Sequence, residues 1–223
     1  MIEYLESIDI EVFKVLNGMH NAFFDEFMWL VSGKFAWLLM CATLLYISFK
    51  KNWKSGVAIV VMVALTIALS DQIASTVIKH SVERLRPTRT EALIPIVHTV
   101  NGYIGGMYGF VSSHAANSFG AAMLLTLIFK DKAFGISIFC WAALLSYSRI
   151  YLGVHFPGDI LGGATVGLVI GFLVYQTYLR MCASRYRLYV KMRSIDTKEI
   201  NLLSYSICVN MCILLFLSAI NML

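Results

Sequence analysis

Six long apolar segments, separated by short polar ones, constrain this chain more than any other feature. They cover residues 27–49, 56–78, 112–129, 133–148, 158–179 and 202–223. A helix needs about 20 mostly apolar residues to cross a bilayer core that is about 30 Å thick. The sequence therefore predicts an all-α polytopic membrane protein with six transmembrane helices, which form a single membrane-embedded domain over residues 1–223.

Composition agrees with this prediction, since 59% of the residues are hydrophobic, only 14% are charged and the mean hydropathy is +0.74. Residues 1–24 alternate acidic with apolar positions, a pattern typical of an amphipathic helix that lies in the membrane interface. The five cysteines lie in or beside apolar segments and lack zinc-type spacing, so we interpret them as small packing residues.

The net charge of +5 does not indicate nucleic-acid binding, because the basic residues form short clusters between apolar segments. Eleven of the 18 Lys and Arg residues fall in segments 50–54, 130–132 and 180–200. Cytoplasmic loops carry an excess of Lys and Arg. We therefore predict that these three segments face the cytoplasm, and that the N-terminus and the loops 80–111 and 149–157 lie outside.

Three polar clusters fall on the predicted outer side. They are Lys79 followed after six residues by Arg86-Pro87, then Ser112-Ser113-His114, then Ser148-Arg149 with His155 and Asp159 downstream. Phosphoryl transfer needs positive charge around the phosphate oxygens, a nucleophile in line and a proton for the leaving group. The three cations, two histidines and one carboxylate of these clusters indicate that chemistry.

At these residues the sequence resembles the type-2 phosphatidic acid phosphatase superfamily, a family of integral membrane lipid phosphatases. Its signature is Lys-x6-Arg-Pro, Pro-Ser-Gly-His and Ser-Arg-x5-His-x3-Asp. The first and third elements match at every specified position. In the second element Val111 replaces the family's Pro and Ser113 its Gly, so the local phosphate geometry is open to change.

The resemblance implies a role for each matched residue. His155 is the expected nucleophile, Asp159 orients its imidazole one helical turn on, and His114 is the expected general acid. The expected phosphate ligands are listed here: Lys79, Arg86, Arg149, Ser112 and Ser113. No cofactor and no metal are expected. The alternative, in which His155 and Asp159 bind a metal at i,i+4 spacing, lacks an obvious third ligand.

Other polar residues receive simpler interpretations. Arg84 and Arg89 are expected to extend towards lipid headgroups, and His20, His80 and His98 to lie at the surface or interface. The intramembrane Asp71 is costly without a partner, so we expect support from another helix. Gly163, Gly167 and Gly171 repeat every four residues, which predicts close approach of another helix to the helix that carries Asp159.

We expect the substrate to be a lipid phosphate in the outer, periplasmic leaflet of a bacterial inner membrane. Undecaprenyl diphosphate is favoured by family analogy, and lipid A phosphate and phosphatidylglycerophosphate are the alternatives. A lipid phosphotransferase and a non-catalytic lipid-binding protein are the rivals from other classes. The sequence leaves the oligomeric state open.

The distribution of basic residues generates the first testable prediction. In a cysteine-free background, Tyr103→Cys should react with a membrane-impermeant thiol reagent applied from outside, because the 80–111 loop is predicted to be external. Tyr189→Cys, in the predicted cytoplasmic segment, is the matched control and should react only after the membrane is permeabilised. The reverse labelling pattern would overturn the orientation.

Overall fold

The computed structural model describes residues 2–51, 53–183 and 196–221, and this part of the chain is helical without a β-strand. Nine α-helices follow one another along it: α1 (Ile2–Gly18), α2 (Ala22–Ser32), α3 (Leu38–Lys51), α4 (Trp53–Asp71), α5 (Lys79–Val82), α6 (Ser113–Phe129), α7 (Lys132–Tyr151), α8 (Pro157–Ala183) and α9 (Thr197–Ile220). Short 3₁₀ turns occupy Lys34–Trp37 and Pro87–Arg89. Predicted cytoplasmic residues 184–195, including Tyr189, lie outside the described residues.

Four helices are long and apolar enough to cross a membrane: Trp53–Val82, Lys132–Tyr151, Pro157–Arg180 and Thr197–Ile220. A fifth span results if the bent pair Ala22–Ser32 and Lys34–Lys50 is taken as one. The predicted third span is a helix of 17 residues, shorter than the length that usually crosses a bilayer. The all-helical prediction is confirmed, with four to five candidate spans among the described residues.

The first predicted span, 27–49, is not one continuous helix. It is broken after Ser32, where Gly33 has extended backbone angles (φ −72°, ψ 157°), and the two halves meet at 64°. Glycine interrupts a helix readily because it loses more conformational freedom on folding than other residues do. An apolar segment can therefore have the composition of a span and still turn within it.

The second span changes its helical period before it reaches the polar clusters. Residues Gln72–Ile78 form a π-helical stretch, and the helix then continues as α5 with Lys79 as its first residue. One π-turn inserts an additional residue into the helical repeat and rotates everything that follows. This local change sets the direction in which Lys79 leaves the helix.

Helices α6 and α8 form the closest helix pair near the site. A Cβ atom added to Gly163, Gly167 or Gly171 would lie 2.3, 2.2 and 2.4 Å from carbonyl oxygens of Ser112, Ala116 and Gly120. Backbones this close leave no room for a side chain. The predicted close approach at the glycine repeat is thus confirmed, and it fixes the two helix N-termini side by side.

The interpretation of the cysteines as packing residues is wrong for those described. Cys41, Cys140, Cys208 and Cys212 are free and exposed on the outside of the bundle, and the side chain of Cys182 lies outside the description. Apolar side chains also face outwards along the helices. Hydrocarbon around the bundle is as apolar as its core, so small residues are not confined to the interior.

Candidate active site

The end of the second span anchors Lys79 through a chain of polar contacts. The Lys79 ammonium donates to the Ser113 hydroxyl (3.3 Å), which lies 2.7 Å from the hydroxyl of Ser75. Ser75 in turn donates to Asp71 (3.3 Å), to which Asn117 of α6 also donates (3.5 Å). The expectation that another helix supports Asp71 is confirmed. Ser113, which stands where the family has Gly, therefore holds Lys79.

Arg86 lies in a short extended segment that pairs antiparallel with residues 107–109. The N–H of Arg86 donates to the Met107 carbonyl (3.2 Å), and the N–H of Gly109 donates to the Arg84 carbonyl (2.8 Å). The guanidinium of Arg86 donates to two further carbonyls, those of Tyr108 (3.0 Å) and Val154 (3.3 Å). Arg86 is thus held by neutral oxygens and keeps its full charge.

The N-terminus of α6 carries the second cluster. Ser112 is buried and caps the helix, since its hydroxyl accepts from the N–H of Ala115 (3.4 Å). Capping uses a lone pair of that oxygen, and the hydroxyl hydrogen stays available as a donor. His114, the second residue of the same helix, is exposed. The first N–H groups of a helix favour an anion nearby.

Arg149 is a buried cation near the end of α7, with only 3% of its surface exposed. Its guanidinium contacts the Ser32 hydroxyl, donates to the Tyr103 hydroxyl (3.0 Å) and faces the Tyr103 ring. Its Nε has no partner within the described residues. The neighbouring motif residue, Ser148, donates to the Leu145 carbonyl within its own helix (2.6 Å) and so has a supporting place.

His155 and Asp159 come together through the start of α8. Pro157 is the first helical residue, where a missing N–H costs nothing, and Asp159 is the third. Its Oδ2 accepts from the N–H of Phe156 (3.0 Å), as an acidic residue at this position does in a capping box. The same oxygen lies 3.2 Å from Nδ1 of His155. One carboxylate therefore caps the helix and holds the imidazole.

Arg84 does not extend towards lipid headgroups, contrary to the sequence interpretation. It forms ion pairs with Asp159 (3.1 Å) and with Asp9 of α1 (2.8 Å), and its guanidinium lies over the Phe156 ring, 4.2 Å from the centroid. One feature of the sequence could have indicated that Arg84 lies near the site. Residues two apart in an extended segment point to the same side, so Arg84 shares a side with Arg86.

Positive charge dominates the space around the two motif histidines. Lys79, Arg86 and Arg149 all act electrostatically on both His114 and His155. None of the three cations has a carboxylate within ion-pair distance among the residues that the structure describes. Arg149 is buried and Lys79 and Arg86 are partly buried, and charges of one sign without counterions are costly in such a place. A bound anion would remove that cost.

Burial and the three neighbouring cations shift the ionisation of the site. Burial, with help from Arg86, Arg149 and Lys79, lowers the pKa of His155 well below its ordinary value. Burial likewise lowers the pKa of Arg86. A neutral His155 whose Nδ1 hydrogen points at Asp159 has its lone pair on Nε2. That nitrogen then carries the lone pair that a nucleophile requires.

A separate cluster has the donor spacing for a metal ion: His20, Asp25 and His98, with donor atoms within 4.8 Å of one another. The two imidazole rings stack face to face, with centroids 3.7 Å apart and planes at 1°. Lone pairs that lie in parallel planes do not converge on one ion. His98 instead lies 2.8 Å from Asp25, which also accepts from the Tyr151 hydroxyl (2.7 Å), so the cluster is structural.

The structure thus brings all the predicted site residues to one end of the bundle. They come from the end of the second span, the 83–112 loop, the N-termini of α6 and α8 and the end of α7. The protein is therefore a helical membrane protein with a cationic pocket beside a histidine–carboxylate pair. That combination defines a class of membrane phosphatase, and comparison with known proteins identifies the family.

Residues 55–181, more than half of the chain, match the PAP2 superfamily, and the chain belongs to that family. It is 44% identical over 177 residues to the lipid A 4'-phosphatase of Bacteroides thetaiotaomicron, covering 78% of this chain and 79% of that one. It is 31% identical over 174 residues to the undecaprenyl-diphosphatase of Sulfolobus acidocaldarius, covering 75% and 77%. The chain is therefore a membrane lipid phosphatase of the PAP2 superfamily.

A solved structure shares the fold. The crystal structure of Aquifex aeolicus LpxE superposes with a TM-score of 0.59 at 26% identity, over 75% of this chain and 94% of that chain. The likeness extends beyond the motifs to the helices that carry them.

The electrostatics of the site predict how His155 titrates. In ¹⁵N-histidine-labelled protein, the His155 signal should keep the shift of a neutral imidazole down to about pH 5.5, where an ordinary histidine of pKa about 6.5 is mostly protonated. The reason is that a lowered pKa leaves the free base dominant at every pH above it. His155→Gln assigns the signal, and free histidine in the same buffer is the reference. Titration of His155 near pH 6.5 would contradict the prediction.

Proposed function

We propose that this phosphatase removes a phosphate group from a lipid at the outer membrane face through a phosphohistidine intermediate on His155, without a metal. The observation that carries this proposal is the group of uncompensated cations around a buried histidine that is held by a carboxylate. Such a pocket suits the dianionic phosphate of a monoester.

The first step is attack of the His155 Nε2 lone pair on phosphorus. The N–P bond forms while the bond between phosphorus and the lipid oxygen breaks, and the electron pair leaves with that oxygen. Lys79, Arg86 and Arg149 neutralise the equatorial oxygens. Asp159 stabilises the positive charge that develops on the imidazole, because its Oδ2 lies 3.2 Å from Nδ1.

His114 supplies the proton that the departing oxygen needs. Its exposed position at the N-terminus of α6 suits contact with the leaving group, which extends out of the pocket. In the second step His114 takes a proton from water as the water oxygen attacks the phosphohistidine, and inorganic phosphate leaves with His155 restored. Proton and charge balance over the two steps.

We also propose how many times the chain crosses the membrane and on which side the active site lies. We take the bent pair and the 17-residue α6 as spans beside the four long helices, which gives six, with α1 in the outer interface. The positive-inside count then places the active site on the periplasmic or exterior face of a bacterial inner membrane. A lipid reaches a pocket at that end of the bundle without leaving the bilayer.

For the substrate we propose a lipid A-type glycolipid that carries a 4'-phosphate. The relative at 44% identity is named for that reaction, whereas the undecaprenyl-diphosphatase shares 31%. This reverses the preference drawn from the sequence alone. Undecaprenyl diphosphate stays the second candidate because of that second relative.

A substrate panel tests the proposal. Purified enzyme in excess EDTA should release phosphate from lipid A several times faster than from undecaprenyl diphosphate or phosphatidylglycerophosphate, and the product should lack the 4'-phosphate by mass spectrometry. Transfer to a lipid acceptor in place of release would indicate a phosphotransferase. Loss of activity on chelation, restored by one divalent ion, would overturn the metal-free mechanism.

The division of roles between the two histidines gives a second test. His155→Ala should lose nearly all turnover with every substrate. General acid catalysis contributes typically 10²–10⁴-fold and matters less for a good leaving group. His114→Ala should therefore lose about that much on lipid A and recover part of it on an activated aryl phosphate. If His155→Ala is the variant that recovers, the two roles are exchanged.

A further inference from the structure

We propose that Arg84 and Asp9 are positioning residues that hold Asp159, and through it His155, so that the first helix of the chain is part of the catalytic machinery. The inference rests on the roles proposed above for His155 and Asp159. Neither the sequence signature nor the relatives' names assign a task to Arg84 or Asp9.

Arg84 completes the set of contacts around a fully buried carboxylate. Asp159 is 0% exposed, and its Oδ2 is already engaged by the N–H of Phe156 and by His155. Its Oδ1 accepts from Nη1 of Arg84 at 3.1 Å. The carboxylate is therefore fixed at both oxygens, which leaves it one orientation towards the imidazole.

Asp9 fixes Arg84 in turn. Its Oδ2 takes the other guanidinium nitrogen, Nη2 of Arg84, at 2.8 Å, and its Oδ1 accepts from the N–H of Gly158 at 2.7 Å. The second of these contacts satisfies one of the N–H groups that the start of α8 leaves unpaired. A single carboxylate from α1 therefore holds both the guanidinium and the helix that carries Asp159.

The rest of α1 is arranged to hold Asp9 there. Asp9, Phe13 and Asn17 are spaced four residues apart and so lie on one face of the helix. Phe13 is buried against Phe156, with ring centroids 5.3 Å apart. Asn17 donates to the carbonyls of His98, Ile150 and Tyr151 at 2.8 to 3.1 Å.

The arrangement also separates two kinds of cation. Arg84 is neutralised by carboxylates, whereas the hydrogen bonds that Lys79, Arg86 and Arg149 donate within the described residues go to neutral oxygens. Arg84 gives Asp159 a counterion at hydrogen-bond distance, whereas Arg86 acts on it only through longer-range electrostatics. Without Arg84, Asp159 would attract Arg86 unopposed, and we expect both the His155 contact and the phosphate site to lose their geometry.

The variants are chosen to remove the ion pairs and to keep the shapes. Arg84→Gln removes the bridge, and Asp9→Asn keeps an oxygen for the Gly158 N–H but loses the charge that attracts Arg84. The matched control is Glu11→Gln, which breaks the exposed Glu11–Lys14 ion pair on the same helix. Displacement of a reacting group by about 1 Å costs on the order of 100-fold. We expect kcat to fall roughly 100-fold for Arg84→Gln and roughly tenfold for Asp9→Asn, with KM little changed and Glu11→Gln as wild type.

Two double-mutant cycles separate positioning from general structural support. If Arg84 acts through Asp159, Arg84→Gln should cost little more in an Asp159→Asn background. If Asp9 acts through Arg84, adding Asp9→Asn to Arg84→Gln should likewise cost little more. Groups that merely stabilise the fold give additive losses instead. Thermal unfolding of each variant in detergent identifies any variant that fails to fold. If Arg84→Gln is one of them, the kcat of Asp9→Asn relative to Glu11→Gln tests the inference.

Each outcome has a single meaning. Asp9→Asn with the activity of Glu11→Gln, or additive losses in both cycles, overturns the inference and leaves the proposed function intact. Full activity in His155→Ala or Asp159→Asn overturns the proposed function itself. The positioning role is supported if kcat falls in Arg84→Gln and Asp9→Asn, if the losses in the double mutants are smaller than the sum of the single losses, and if the ¹⁵N shift of His155 changes in Arg84→Gln.

Discussion

The contact between the backbones of α6 and α8 is the constraint on which the rest of the site depends. Because Gly163, Gly167 and Gly171 carry no side chains, the two helices touch at their carbonyl groups. The N–H of Ser112 then reaches the Asp159 carbonyl at 2.9 Å. Two helix N-termini, one with the proposed general acid His114 and one with the carboxylate that contacts the proposed nucleophile His155, are thereby fixed next to each other.

Electrostatics explains the rest of the architecture. Each of the three site cations, buried or partly buried, needs partners, and the chain supplies hydroxyls and carbonyls to Lys79, Arg86 and Arg149. Neutral oxygens satisfy the donors without cancelling the charge, which keeps the pocket ready for an anion. The departure Ser113 fits this logic, because its hydroxyl holds Lys79 where the family's Gly offers no side chain. Arg84, for which we propose a positioning role, is paired with carboxylates instead.

Sequence patterns predicted the helical class, five of the six helix positions to within a few residues, and the gathering of the motif residues at one end. Apolar runs and fixed spacings are local signals, and these features are local. The bend at Gly33 could not be predicted, because a hydropathy pattern carries no information on backbone angles. The ion pair of Arg84 could not be predicted either, because its partner Asp9 is 75 residues away in the sequence and only the folded helix α1 brings the two together. The exposed cysteines show the same limit, since polarity does not distinguish lipid from protein interior.

The position of α1 has a consequence for the behaviour of the enzyme in its bilayer. Asp9, Phe13 and Asn17 contact the catalytic end of the protein, while Leu5, Ile8 and Val12 are exposed beside Asp9, in an open apolar groove that Arg84 also lines. Since residues 1–24 are predicted to lie in the membrane interface, we expect these exposed apolar side chains to contact lipid. The lipids next to α1 would then influence the ion pair between Asp9 and Arg84, including lipids that the enzyme never hydrolyses.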